Sequence, residues 1–430
     1  MTALGTVGPI LFFAASFGAN ALVLAYRWER APVVRRSVDR LRRGVLGRDD
    51  WSWLRLRHLM VPLGVVAVVN LAWSLSGPQC SSDALALLAS GTAALHGQDP
   101  FQVAACGFAN PDPIPYGAAA VVLDVTGALT GSVAGVWVVW QLLGLGVIPL
   151  VWTVGGDDRR YLSVLVATSV LYLPNLATRI DGPENTIVPI AVLLGLYALG
   201  IPGWRGRALE GASAFLSTAR LPAVFPLLAS SYPRGRRSWS LPSITVAVFL
   251  AAAAACFALW GRAFVQVVYL DQFARGRPQS FNLFDLLFRA GLLHSSLALT
   301  ESQGVGVLGI VALVTWRRYS PEVASAIVLA GVMLLTQYAM LHFDLWLVPL
   351  LLLGTTVNRA LLLYGGLWYL DANLAMGYLG PSRGVWWPTE LLGVALTAIL
   401  LYVVVRLIRY GEGKVPGASE AGKTRSGVRP

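Results

Sequence analysis

The sequence predicts an all-α, polytopic transmembrane helical bundle with external juxtamembrane helices, on three observations. Hydrophobic residues make up 56% of the 430-residue chain and charged residues only 13%, which excludes a soluble globule. Long apolar runs alternate with short polar loops. Arginine collects in every second loop, so the runs can be threaded in and out by the excess of positive charge on the cytoplasmic side. The threading gives about 11–13 membrane segments in a single domain over residues 1–410, followed by a disordered cytoplasmic tail over 411–430. The net charge of +11 is almost all arginine in short loops, with no basic stripe interleaved with stacking aromatics. It reports orientation and contact with anionic membrane lipid, and no nucleic-acid partner is expected.

In chain order, residues 4–26 are too long and too poorly flanked for a cleaved signal peptide, and are expected to persist as a signal-anchor helix with an external N-terminus. Residues 27–57 hold ten arginines with Val38, Leu41, Val45 and Leu46 between the charges, the pattern of a basic amphipathic segment on the cytoplasmic surface. A second span, 59–76, delivers an external loop over 77–132. Its stretch from Pro78 to Tyr116 contains Asp83, Asp99 and Asp112 and no Lys or Arg. Within it, residues 84–95 read as a surface helix with Ser81 or Ser82 available as the cap. Asp83 then stands at the positive helix end, which favours the ionised carboxylate. Residues 117–130 are too few and too Gly-rich to cross the membrane and read as interfacial. Cys80 and Cys106 both fall in this oxidising outer loop, where they can form a disulfide or stay as thiols. No Cys/His spacing resembles a metal site.

Further spans are expected over 133–153, 161–177 and 186–201, separated by GGDDRR inside and TRIDGPEN outside. The segment 209–232 is read as a pair of short helical pieces broken near Arg220-Leu221-Pro222, because Pro222 cannot continue a helix. That break returns the chain to the cytoplasm and leaves Arg220 near the outer interface. Spans over 241–262, 303–316, 322–340, 343–357, 359–371 and 386–409 complete the bundle and leave the C-terminus in the cytoplasm.

The outward ends of these spans gather Asp83, His96, Asp99, Arg179, Asp181, Glu184, Arg220, Asp271, Arg275, Gln279, Ser280, His294, His342 and Asp344. Ionisable groups at the membrane boundary are costly, so their convergence on one face points to a polar cavity. Asp83 can act as a base toward a hydroxyl, or simply cap a helix on a solvated loop. Arg220 can grip a phosphate with its planar fork of donors, or snorkel from a short helix toward headgroups. His342 and Asp344 can orient a sugar acceptor or cap the following apolar run. Asp181 and Glu184 read as a solvated loop tip as readily as substrate ligands, and His96 and His294 as structural groups.

The order of these features resembles the C-type integral-membrane glycosyltransferases (GT-C), most closely the polytopic polyprenol-phosphate-mannose-dependent α-mannosyltransferases. In the family's first loop an Asp precedes an apolar helix, a Gly-x-x-Pro-aromatic step and a Tyr/Pro-rich stretch. Here these stand as Asp83, Gly97-Gln98-Asp99-Pro100-Phe101 and Pro113-Ile114-Pro115-Tyr116. The family's Gly-Gln-x-Asn step is similar to Asp181-Gly182-Pro183-Glu184-Asn185, which keeps Asn185 and lacks the Gln. Its Lys-x-x-Pro break is matched by Arg220-Leu221-Pro222, with arginine for lysine. The late Gln-Ser pair stands as Gln279-Ser280-Phe281, followed by Arg289. An aromatic step entering a Leu/Pro-rich span is matched by His342-Phe343-Asp344-Leu345-Trp346 through Pro349.

The matches run from residue 79 to 355; the first span and the basic amphipathic segment before Asp83 lie outside the pattern. The resemblance implies an external active site, a polyprenyl-phosphate sugar donor, with mannose the expected sugar, and a glycolipid or glycan acceptor. Asp83 is then the base and Arg220 the phosphate ligand, with Asn185, Gln279, Ser280, His342 and Asp344 near donor and acceptor. Inversion at the anomeric carbon follows, and nothing requires a cofactor or metal. A transporter or lipid flippase is the competing reading, and favours polar groups at span midpoints and paired broken helices. The polar groups here crowd one face, and no internal repeat is evident. A non-catalytic, lipid-binding member of the family is the third.

Overall fold

A computed structural model describes residues 36, 39–40, 55–61, 64–65, 68, 83–102, 116–155, 186–231, 238–270, 287, 290–292, 294, 297–335, 344–354, 360, 363–364, 367 and 387–410. Among these residues the chain is all-helical, with no strand. Among the described residues three helical stretches are long and apolar enough to cross a membrane: Val133–Val154, Ser240–Leu270 and Leu391–Arg409. The expected spans at 4–26, 59–76, 161–177 and 359–371 lie wholly or mostly outside the described residues, as do most of 27–57 and all of 411–430.

The first described helices are α1 (Asp83–Leu95), α2 (Ala118–Ala128), α3 (Val133–Leu145) and α4 (Val147–Val154). Helix α1 begins at Asp83, so the expected placement of this acid at a helix N-terminus holds for its backbone. Helix α2 has eleven residues, about 16 Å at the α-helical rise, well short of a hydrocarbon core. It packs between α1 and α3, with Ala119, Ala120, Val121, Asp124, Gly127 and Ala128 buried. Glycine makes both contacts. A β-carbon on Gly91 of α1 would collide with the carbonyl of Asp124, and one on Gly127 with the backbone of Val136 in α3. Helices α3 and α4 are the halves of one expected span, divided at Gly146 because Pro149 has no N–H for the Leu145 carbonyl.

Next come α5 (Ile187–Ala198) and α6 (Gly203–Ser217), then a 3₁₀ turn, Leu221–Ala223, and α7 (Val224–Ala229). The break at Arg220 falls where Pro222 predicts it. The first piece, however, starts at Gly203, six residues before the expected 209, and takes Arg205 and Arg207 into the helix. Helix α8 (Ser240–Val265) follows, with a kink at Gly261, whose φ of 56° and ψ of −132° suit only glycine, and a π-helical turn over Gln266–Leu270. Finally come α9 (Leu297–Arg317), α10 (Pro321–Leu335), α11 (Asp344–Gly354) and α12 (Trp387–Tyr410).

Two helices form the centre. Helices α5 and, beyond Glu322 and Ser325 near its start, α10 are apolar all round and buried along most of their length, as an interior helix must be. Against α5 lie α4, α6 and α11; against α10 lie α7, α9, α11 and α12. Tyr319, at the turn before α10, is buried and donates to the Ile408 carbonyl at 2.9 Å, tying down the end of α12. Burial holds its hydroxyl above the ordinary tyrosine pKa, against the opposing effect of Arg317, which keeps it a donor.

Helix α8 is the opposite case. Leu250, Phe257 and Leu259 are each more than half exposed along a 31-residue apolar stretch. An outward apolar face of that length suits a hydrocarbon solvent. Its inner face holds Phe101, whose buried ring lies 5.6 Å from Trp260 and 5.5 Å from Phe264, on either side of the Gly261 kink. The Gly97–Phe101 turn is thereby anchored to α8.

Replacing Gly91 with valine forces α1 from α2. The expected loss is about 1–3 kcal/mol of stability, read as a lower thermal unfolding midpoint in detergent; an unchanged midpoint contradicts the close approach.

Candidate functional site

The site is built where α6 ends. Helix α6 stops at Ser217, Thr218 and Ala219 turn the chain, and Arg220 is extended at φ −142° and ψ 121°. Pro222 enters the next piece in its first turn, where an amide has no intrahelical partner to lose. The break points the Arg220 side chain across to two other parts of the chain. Its Nη2 donates to the Tyr116 hydroxyl at 2.6 Å, and its guanidinium carbon lies 4.3 Å from the centre of the Tyr116 ring. The Trp346 ring, on the first turn of α11, is 5.4 Å away. Both distances fall in the range where an aromatic face attracts a cation. Tyr116 and Trp346 are themselves buried, so the two rings hold the guanidinium in one orientation.

One residue from each of three stretches singled out in the sequence therefore meets at one point: Tyr116, Arg220 and Trp346. A planar, permanently charged fork of donors, braced on rings at the end of a helix, is suited to a phosphate or carboxylate.

Of the other expected site residues, Asp83 opens α1 and Asp344 opens α11, two positions before Trp346. Asn185, Gln279, Ser280, His342, Cys80 and Cys106 lie outside the described residues, as do Arg179, Asp181, Glu184, Asp271 and Arg275. His96 and Asp99 make local contacts. The His96 ring nitrogen is 2.8 Å from the Thr92 carbonyl, and the Asp99 carboxylate accepts the Phe101 amide at 2.9 Å. Cys256 is a buried free thiol. Among the described residues no cluster of three His, Cys, Asp or Glu gathers as a metal site would.

Two buried carboxylates escaped the sequence reading. Asp124, 1% exposed on α2, accepts the indole N–H of Trp140 on α3 at 2.9 Å. Glu210 on α6 accepts the Ser240 hydroxyl at 2.6 Å, at the first turn of α8. Asp124 carried a signal in the sequence: it is a lone acid in an apolar helical stretch, where an ionisable group has to find a partner.

No family model, curated protein or solved structure matches the chain.

Trp140→Phe removes the donor to a buried carboxylate and is expected to cost about 1–3 kcal/mol beyond the lost packing. In a double-mutant cycle with Asp124→Leu the loss in the double variant should fall short of the sum of the two single losses; additive losses contradict the pair.

Proposed function

We propose that this protein is a polytopic integral-membrane glycosyltransferase of the GT-C kind. It transfers a sugar, mannose as the first choice, from a polyprenyl phosphate to a glycolipid or glycan acceptor on the external face. The observation that carries this reading is the convergence of Tyr116, Arg220 and Trp346, from three distant stretches of chain, on one braced guanidinium. Supporting it, α1, which starts at Asp83, packs on α2, which starts two residues after Tyr116. Helix α2 thus adjoins both: α1 packs along it, and the turn that leads to Arg220 meets its first residues.

In this reading the donor enters sideways from the bilayer and its phosphate settles on Arg220. Asp83 takes the proton of the acceptor hydroxyl as that oxygen attacks the anomeric carbon. The bond from the anomeric carbon to the phosphate oxygen breaks, and the electron pair leaves with the polyprenyl phosphate. Arg220 stabilises the charge that gathers there, the role that fixed donors fill at a developing anion. Attack opposite the leaving group inverts the anomeric centre.

The test is transfer of label from radiolabelled polyprenyl-phosphate mannose to a membrane glycolipid extract by the purified protein. Asp83→Asn is expected to lower transfer by about 10²–10⁴-fold with donor binding kept, and Arg220→Ala to raise the donor KM. Full transfer by Asp83→Asn overturns its role as base. Lipid flux across proteoliposomes without chemical change overturns the reading in favour of a flippase.

A further inference from the structure

The N-terminus of α2 is capped from a distant part of the chain. Gly117 occupies the cap position and has no side chain to accept the amides of the first turn. Thr218 supplies what is missing: its Oγ1 accepts the Ala119 amide at 3.1 Å, across 99 residues of sequence. The same hydroxyl donates to the Phe215 carbonyl at 2.7 Å, so one group closes α6 and opens α2. Beside it the Gly117 amide donates to the Ala219 carbonyl at 3.0 Å. The next link along is Arg220 to Tyr116 at 2.6 Å. The two strands of chain approach so closely that a β-carbon on Gly117 would collide with the Thr218 carbonyl.

The geometry points to Thr218 as a positioning residue, which sets the Arg220 guanidinium against Tyr116 and so fixes the phosphate subsite. This inference rests on the glycosyltransferase reading. Thr218 is buried and does not reach the substrate in that reading; it acts through the register of 218–220 against 116–119. A hydroxyl is required and a particular side chain is not, since serine offers the same oxygen and valine offers the same shape without it.

The experiment compares wild type, Thr218→Val and Thr218→Ser by amide hydrogen exchange over 116–120 and by donor kinetics; Thr218→Ala takes the place of the valine variant if that does not fold. Faster exchange at Ala119 and a donor KM raised about tenfold or more, both restored by serine, are expected, with the acceptor KM unchanged. Unchanged exchange, or faster exchange with unaltered kinetics, overturns the positioning role. If the wild type transfers no sugar, the glycosyltransferase reading fails by itself, and binding of dodecyl phosphate in detergent replaces the kinetics. Binding about tenfold weaker in Thr218→Val and restored in Thr218→Ser sustains the role in that case, whereas equal or undetectable binding overturns it.

Discussion

The site depends on one close approach, that of the Gly117 backbone to the carbonyl of Thr218. Only glycine fits there. Because it fits, the Gly117 amide reaches Ala219, the Thr218 hydroxyl reaches Ala119, and Tyr116 comes under the guanidinium of Arg220. Trp346 then closes the other side from α11. An arginine on a broken helix has many rotamers and a strong tendency to reach for water. Here the ordering cost is met by two ring faces and a hydrogen bond, of which the Tyr116 ring and hydroxyl follow from the register set at residue 117.

Around this contact, the helices solve the problem of polar groups in an apolar surround in two ways. Hydroxyls fold back onto their own helix: Thr245 donates to the Leu241 carbonyl at 2.8 Å, Ser230 to Pro226 at 2.9 Å and Thr397 to Gly393 at 2.8 Å. Such bonds satisfy the side chain without another helix. The carboxylates have no such option, and each draws in a neighbour, Asp124 the Trp140 indole and Glu210 the Ser240 hydroxyl. These pairs bind α2 to α3 and α6 to the start of α8. They brace, near mid-length, the two helices whose ends meet at Thr218.

Helix positions were legible wherever an apolar run is bounded by a breaker. The expected 133–153 and 241–262 correspond to Val133–Val154 and to Ser240–Val265, and Pro222 marked the break that presents Arg220. Where polar residues continue a helix, the boundary was misplaced. Helix α9 begins at Leu297, six residues ahead of the expected start at 303, because Thr300, Glu301 and Ser302 ride on it. Helix α6 begins at Gly203 for the same reason, with Arg205 and Arg207 in its first turns. Of the site, Arg220, Tyr116 and Trp346 were each visible as parts of ordered stretches. Their contact was not, because it depends on a tertiary approach at Gly117 that no local pattern encodes. Thr218 was invisible for the same reason: it caps a helix 99 residues away, whereas sequence reading looks for caps next to the helix they serve.

The measurement that bears most directly on this account is photolabelling of the protein in membranes with a polyprenyl phosphate carrying a diazirine near its phosphate, followed by peptide mapping. The account predicts label on the peptides around 116–120 and 217–224, competed away by unlabelled polyprenyl phosphate and lost in Arg220→Ala. Label confined to the outward face of α8, unaffected by the competitor or by the change at Arg220, would contradict it.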